Sequence, residues 1–312
     1  MRTFCAVRGI RQTVRPTPPA PHPLTDGVRV PARTVLNRSM ANHLFTLASG
    51  RSLGVSATGD PASGRLVVVC HPTPGAGGFD PDPIATQRSN THILSLDRPG
   101  YGASDPLRPG EPTRIEARAD DIAEFLSRSE QVARSSGGSR YGRVGVVGWG
   151  TGGMVALSLA ARRPDLVDRV AAVSVPTPTT QTFDPVLQGL VPYSLASLDV
   201  TAEDPALRKP GLRNRLDRML EEAALQGSVG GETDRLALRD HRWTHQLGAV
   251  EAPTLLVYGE GAGDRDELTT VDDGAWLRRR MPRGVARVVR VRGAGALVIA
   301  SVWGRILRHV SS

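Results

Sequence analysis

Two cysteines in 312 residues, Cys5 and Cys70, are too few for a disulfide framework or a zinc cage. No apolar run approaches the ~20 residues needed to cross a bilayer, so a membrane partner is not expected. Lys209 is the only lysine and aromatic residues make up 4% of the chain. No metal-ligand spacing and no phosphate-binding glycine loop occurs, so no metal and no cofactor are expected. A basic surface is also lacking, despite a net charge of +8: residues 1–39 contribute +6 of it through seven arginines and Asp26. Arg278, Arg279, Arg280, Arg283, Arg287, Arg290 and Arg292 span a helix end and a strand, with no interleaved aromatic beyond Trp276. Arginine in place of lysine throughout reads as coding bias, and a nucleic-acid partner is not expected.

Hydrophobic residues at 39% and charged residues at 22% suit a chain with a large buried core. Residues 1–39 are the exception. Pro16, Pro18, Pro19, Pro21 and Pro23 block helix and sheet alike, so an Arg/Pro-rich disordered leader is expected there, with Met40 just before the first structured segment. The segment lacks the 7–15-residue apolar stretch of a secretory signal, and a cytoplasmic location is expected.

From residue 43 the chain alternates. Residues 43–47 and 51–57 predict an antiparallel hairpin turning at Ser49-Gly50. Leu66–Cys70 is a short, wholly apolar, β-branched run, which marks a strand buried on both faces. Residues 93–96, 144–147, 170–173, 255–258 and 288–291 predict further strands. Between them lie helices. Thr113 with Glu116 predicts a capping box for a helix burying Ile115, Ala119, Ile122 and Leu126. Met154, Leu157 and Ala160 face a sheet until Arg163-Pro164 stops their helix, and Ile299, Trp303, Ile306 and Val310 line a last one. This alternation predicts an α/β fold with a mostly parallel, doubly wound sheet. Residues 178–251 break it, with helical segments near 204–226 and 232–247. They are expected to form a helical cap on a core of residues 40–177 and 252–312, over the carboxyl edge of the sheet, where such sheets bind ligands.

Four stretches at strand ends carry a pattern. His71-Pro72-Thr73-Pro74-Gly75 follows the first central strand, and Asp97-Arg98-Pro99-Gly100-Tyr101-Gly102-Ala103-Ser104 follows the next. Gly148-Trp149-Gly150-Thr151-Gly152-Gly153 links a strand to a helix, and Gly293-Ala294-Gly295-Ala296-Leu297 opens the last helix. In this order and spacing they resemble the α/β-hydrolase superfamily from about residue 43 to the C-terminus. The resemblance implies an oxyanion loop at 71–75, a nucleophile elbow at 148–152, an acid at Asp264 (or its rival Asp266), and a histidine position at 296. The elbow of active members reads G-x-S-x-G, and here its centre is Gly150; the closing G-x-G-H ends here in Ala296. A serine hydrolase needs a hydroxyl to attack and an imidazole to take its proton, and no histidine lies between residues 246 and 308. A degenerate triad, Gly150, Asp264 and Ala296, is therefore expected.

What the resemblance leaves is a binding edge: the amides of Thr73 and Thr151 as oxyanion donors, flanked by Trp149 and His71. His71 is read chiefly as a brace of its loop. Gly50-Arg51-Ser52-Leu53-Gly54 matches G-x-S-x-G as text, but it sits in the hairpin and leads into no helix, so Ser52 is not expected to react. Cys70 is read as core. His241, Trp243 and His245 end the cap, where such histidines are ordinarily solvated. The expected function is binding of a small apolar carbonyl-bearing ligand in a capped pocket. An enzyme acting on ester-like or carbonyl substrates through other residues, and a partner-binding scaffold, are the alternatives. The sequence leaves the oligomeric state open.

Overall fold

A computed structural model describes residues 43–130, 132, 140–179, 191–261 and 269–312, all within the unit Ser39–Ser312. The expected leader at 1–39 lies outside the described residues.

Eight strands form one sheet in the order β1-β2-β4-β3-β5-β6-β7-β8. β1 (His43–Thr46) and β2 (Ser52–Gly59) make the expected hairpin, and β2 runs antiparallel to β4 (His92–Leu96). The remaining pairings, among β4, β3 (Leu66–Cys70), β5 (Val144–Trp149), β6 (Val167–Val173), β7 (Thr254–Glu260) and β8 (Ala286–Arg292), are parallel. This is the α/β-hydrolase fold.

β3 and β5 are buried along their whole length, because helices cover both faces. Alternation then divides their side chains between two apolar clusters. Leu66, Val68 and Cys70 belong to one, with α2 (Ile115–Arg128), α3 (Thr151–Arg162) and Leu277 of α6 (Val271–Arg280). Val67 and Val69 belong to the other, with Ile299 of α7 (Val298–Ser301) and Trp303, Ile306 and Val310 of α8 (Trp303–Ser311). The last helix is thus two pieces, broken at Val302, where one was expected. The short α1 (Pro83–Arg88) packs under α8, and the Trp303 indole N–H donates to Thr86 Oγ1 at 2.8 Å.

Between β6 and β7, α4 (Leu212–Ala223), α5 (Val229–Leu238) and 3-10 turns at Leu195–Leu198, Pro205–Arg208 and Arg242–Ala249 occur, with no strand among the described residues. The helix expected over 232–247 is α5 followed by a separate 3-10 turn. Leu195, Ala206, Leu212, Leu216 and Met219 join the apolar cluster that holds Trp149 and Val257. No described helix is long and apolar enough to cross a membrane.

The capping box at Thr113 does not form. Arg114 is the extended N-cap residue and makes no side-chain cap bond, so α2 starts one residue too late for Thr113 to reach its amides. A box does form at Thr270, whose side chain accepts from Asp272 N while Asp273 accepts from Thr270 N at 2.8 Å. Thr113→Ala is therefore expected to change unfolding free energy by less than ~0.5 kcal/mol, and Thr270→Ala to cost about 1 kcal/mol. Urea denaturation of the two variants checks this; equal losses would contradict the assignment.

Candidate functional site

Gly150 stands at the apex of the turn from β5 into α3, with φ 56° and ψ −121°. Its neighbours are glycine because the turn is packed solid. A Cβ on Gly148 would overlap the Gly152 carbonyl, one on Gly152 the Cys70 carbonyl, and one on Gly153 the Val175 side chain. Gly150 differs. A Cβ there would meet only Pro72 Cβ, at 3.8 Å, so the apex has room for a side chain, and only its left-handed backbone favours glycine. The turn is held from beside by Gly150 N–H donating to Val173 O at 2.9 Å. Thr151 is buried as the first residue of α3, where its amide has no partner within the helix.

The 71–75 loop faces this apex and hangs from one side chain. Arg98 is buried and donates through Nη1 to His71 O at 2.5 Å, and through Nη2 to Pro72 O at 2.8 Å and Thr73 Oγ1 at 2.9 Å. Its charge is met by Asp234 on α5, 2.6 Å away, with the two side chains 5% and 1% exposed. Thr73 Oγ1 closes the ring by donating to Asp234 Oδ2 at 2.6 Å. The Arg98 charge and the bonds to its carboxylate hold Asp234 below the usual range, against the pull of burial.

His71 is committed in the same way. Its Nε2 accepts from Arg98 N at 3.0 Å and its Nδ1 donates to Pro72 O at 2.9 Å, which assigns the proton to Nδ1. Burial, reinforced by the Arg98 charge, lowers its pKa to about 3. One ring nitrogen is spent on its own loop and the other on the Arg98 turn after β4, which makes His71 a brace between the two. The Asp97 carboxylate accepts from Gly77 N at 2.6 Å and Ala103 N at 3.0 Å, and burial pushes its pKa up to about 7.

Trp149 is buried with its ring 6.0 Å from that of Phe79. Ala296 is half-buried, and the amide of the next residue, Leu297, donates to the buried Asp204 at 3.1 Å. Asp264 and Asp266 lie outside the described residues. Ser52 is on β2, as expected. Trp243 packs with the α2–α3 cluster, away from the cluster of Trp149, and His245 is exposed. His309 on α8 faces Val170 O at 3.0 Å, midway along β6, and Pro253 O at 3.1 Å, just before β7, and so does not reach the Gly150 turn at the carboxyl end of β5. Cys70 is a buried thiol pushed up to about 12 by burial. A small cavity lined by Cys70, Asp97, Arg98, Arg118, Asp121 and Val155 lies beside the Arg98 turn, and Thr73, Trp149, Gly150 and Thr151 do not line it. Among the described residues no group of His, Cys, Asp and Glu is arranged to hold a metal. The seven arginines of 278–292 are all exposed, and Arg280 stacks on Trp276.

Two acids in this region escape a reading of the sequence: Asp234 and Asp204. For Asp234 the signal was present. Gly230, Thr233, Asp234 and Ala237 are the buried residues of α5, at helical spacing, and an acid in a buried stripe requires a partner.

Residues 67–304 match the model described as "Alpha/beta hydrolase family". A pimeloyl-[acyl-carrier protein] methyl ester esterase of Chromobacterium violaceum is 27% identical over 215 residues, covering 65% of this chain and 76% of that protein. The protein of the same description from Neisseria meningitidis serogroup B is 27% identical over 217 residues, covering 65% and 75%. Among solved structures, an enol-lactonase from Burkholderia xenovorans LB400 superposes with a TM-score of 0.65 at 17% identity, covering 85% of this chain and 97% of that one. A hydrolase from Pseudomonas aeruginosa PA01 superposes with a TM-score of 0.60 at 22% identity, covering 86% and 97%. At such identities the two structures speak to the fold.

Two outcomes are expected. Gly152→Ala, which drives a Cβ into backbone, is expected to cost more than 3 kcal/mol or to prevent folding, while Gly150→Ala costs about 1–3 kcal/mol for its φ alone; similar losses in urea denaturation would contradict the packing account. In an NMR titration His71 is expected to stay neutral down to pH 4. Its folded pKa lies below the unfolded 6.5, so its contribution to stability is full above pH 6.5 and is lost as pH falls toward 3.

Proposed function

This chain belongs to the alpha/beta hydrolase family, and we propose that it keeps the family's binding edge without the serine-hydrolase chemistry. The observation that carries this reading is Gly150. The turn keeps the strained geometry and the open space of a nucleophile position, yet the residue there has no side chain. At the other catalytic position stands Ala296, and no histidine lies between residues 246 and 308 to replace it. The triad is degenerate on this reading, with Asp264 its remaining member.

The amides of Thr151 and Thr73 are the donors left for a ligand oxygen, with Trp149 supplying apolar surface and His71 bracing the loop. The ligand is a small apolar molecule bearing a carbonyl or carboxylate, held under the segment between β6 and β7 acting as a cap. Donors alone stabilise an oxyanion but supply no nucleophile: triad-less proteases keep roughly 10³–10⁴-fold over water, far below a working hydrolase.

A second reading draws on the relatives, which are described as methyl ester esterases. On it, this chain acts on an ester through other groups. Turnover separates the two. The purified protein is expected to hydrolyse neither 4-nitrophenyl butyrate nor methyl hexanoate above the buffer rate, while methyl hexanoate or hexanoate raises its melting temperature. Ester turnover at ordinary enzyme rates would overturn the proposal, and no thermal shift with either probe would favour a partner-binding scaffold. Gly150→Ser with Ala296→His is expected to create esterase activity at least tenfold above wild type, with neither single change sufficient. A folded but inert double variant would mean that Asp264 is out of register.

A further inference from the structure

The 71–75 loop is not fastened by the core alone. Arg98 bonds the carbonyls of His71 and Pro72 and the hydroxyl of Thr73, three successive residues. The acid that balances it comes from α5, between β6 and β7, and Thr73 Oγ1 bonds that acid directly. α5 is seated by shape as well. Gly230 lies on the Tyr101 ring so closely that a Cβ there would come within 2.6 Å of it, and Tyr101 in turn stands edge-on to His71 at 5.2 Å. Gln226, just before α5, donates to Gly102 O at 3.0 Å and Ser104 O at 2.6 Å.

We propose that Asp234 is a positioning residue for the Thr73 amide, so that seating of α5 and presentation of that amide to a ligand oxygen are one equilibrium. The inference rests on the binding reading above for its ligand, and on the hydrogen-bond ring alone for its mechanism. If α5 lifts, Arg98 loses its counter-charge, Thr73 loses its acceptor, and the loop is free to turn its amide away. By reciprocity, a ligand that bonds the Thr73 amide holds α5 down.

Hydrogen exchange of α5 and probe affinity, measured together, test this. Thr73→Val removes the hydroxyl at constant size, Thr73→Ser retains it, and Asp234→Asn removes the charge. Thr73→Val and Asp234→Asn are expected to speed exchange of the α5 amides at least tenfold and to weaken hexanoate binding at least tenfold, with Thr73→Ser within twofold of wild type in both. Saturating hexanoate is expected to slow α5 exchange in wild type and not in Thr73→Val. A merely structural role would lower the melting temperature without this ligand-dependent protection. Unchanged α5 exchange in folded Thr73→Val would overturn the inference. If Asp234→Asn fails to fold, the two Thr73 variants decide. If wild type binds neither hexanoate nor methyl hexanoate, the binding reading falls, and the exchange rates still decide whether Thr73 and α5 are coupled.

Discussion

Close packing of backbone on backbone where β5 turns into α3 sets the geometry of everything around it. Gly148, Gly152 and Gly153 have no space for a Cβ, because α3 leaves the sheet against the end of β3 and the chain after β6. That contact fixes where α3 begins, and with it where the Thr151 amide points relative to the 71–75 loop. Three of the four glycines are therefore structural necessities. The fourth, Gly150, is not: its Cβ position is open and only its φ of 56° favours glycine. The same turn thus contains one position where the fold leaves room for a side chain, and this chain has glycine there.

Around that turn, polar contacts hold the β6–β7 segment down on two sides. On one side Asp234 meets Arg98. On the other, Asp204 accepts from Leu297 N, and Lys209, the chain's only lysine, donates to Asp82 at 2.9 Å and to Ala300 O at 2.6 Å. A buried pair such as Arg98–Asp234 adds little net stability, because desolvation offsets its attraction. Its effect is on specificity of arrangement. Removing one partner strands a charge among buried carbonyls, which costs about 3–5 kcal/mol, so the segment and the loop it touches are stable in one relative placement.

The strands were legible because a parallel strand buried on both faces needs an unbroken apolar run, and Leu66–Cys70 and Val144–Val147 are such runs. Their neighbours were legible from glycine and proline at the strand ends. What could not be read was pairing across the chain. Arg98 and Asp234 are 136 residues apart, and nothing local to either names the other. Local rules also failed where a boundary shifted by one residue: Thr113 and Glu116 have the spacing of a capping box, but the extended Arg114 starts the helix too late. The resemblance implies a brace role for His71, and the physical reason lies in the partners of its two ring nitrogens, which no local sequence pattern specifies. Asp264 and its rival Asp266 lie outside the described residues, so the acid position remains an expectation from the sequence.

Fold and ester chemistry depend on very different numbers of residues, which is why the relatives' description and the proposed reading differ. Identity near 27% over about 215 residues reflects a shared fold, and a fold is held by many packing contacts, each tolerant of substitution. Ester hydrolysis through an acyl-enzyme depends instead on one oxygen and one ring nitrogen, the two groups that the proposed reading finds missing at Gly150 and Ala296. Glycine at 150 also suits the fold. A residue with a Cβ at the apex would store about 1–3 kcal/mol of backbone strain, which is tolerable when that strain exposes a nucleophile and unfavourable otherwise. Glycine relieves it without moving the turn. On the proposed reading, glycine is the more stable residue at the apex, and the sheet, the 71–75 loop and the amides of Thr151 and Thr73 do not depend on a side chain there.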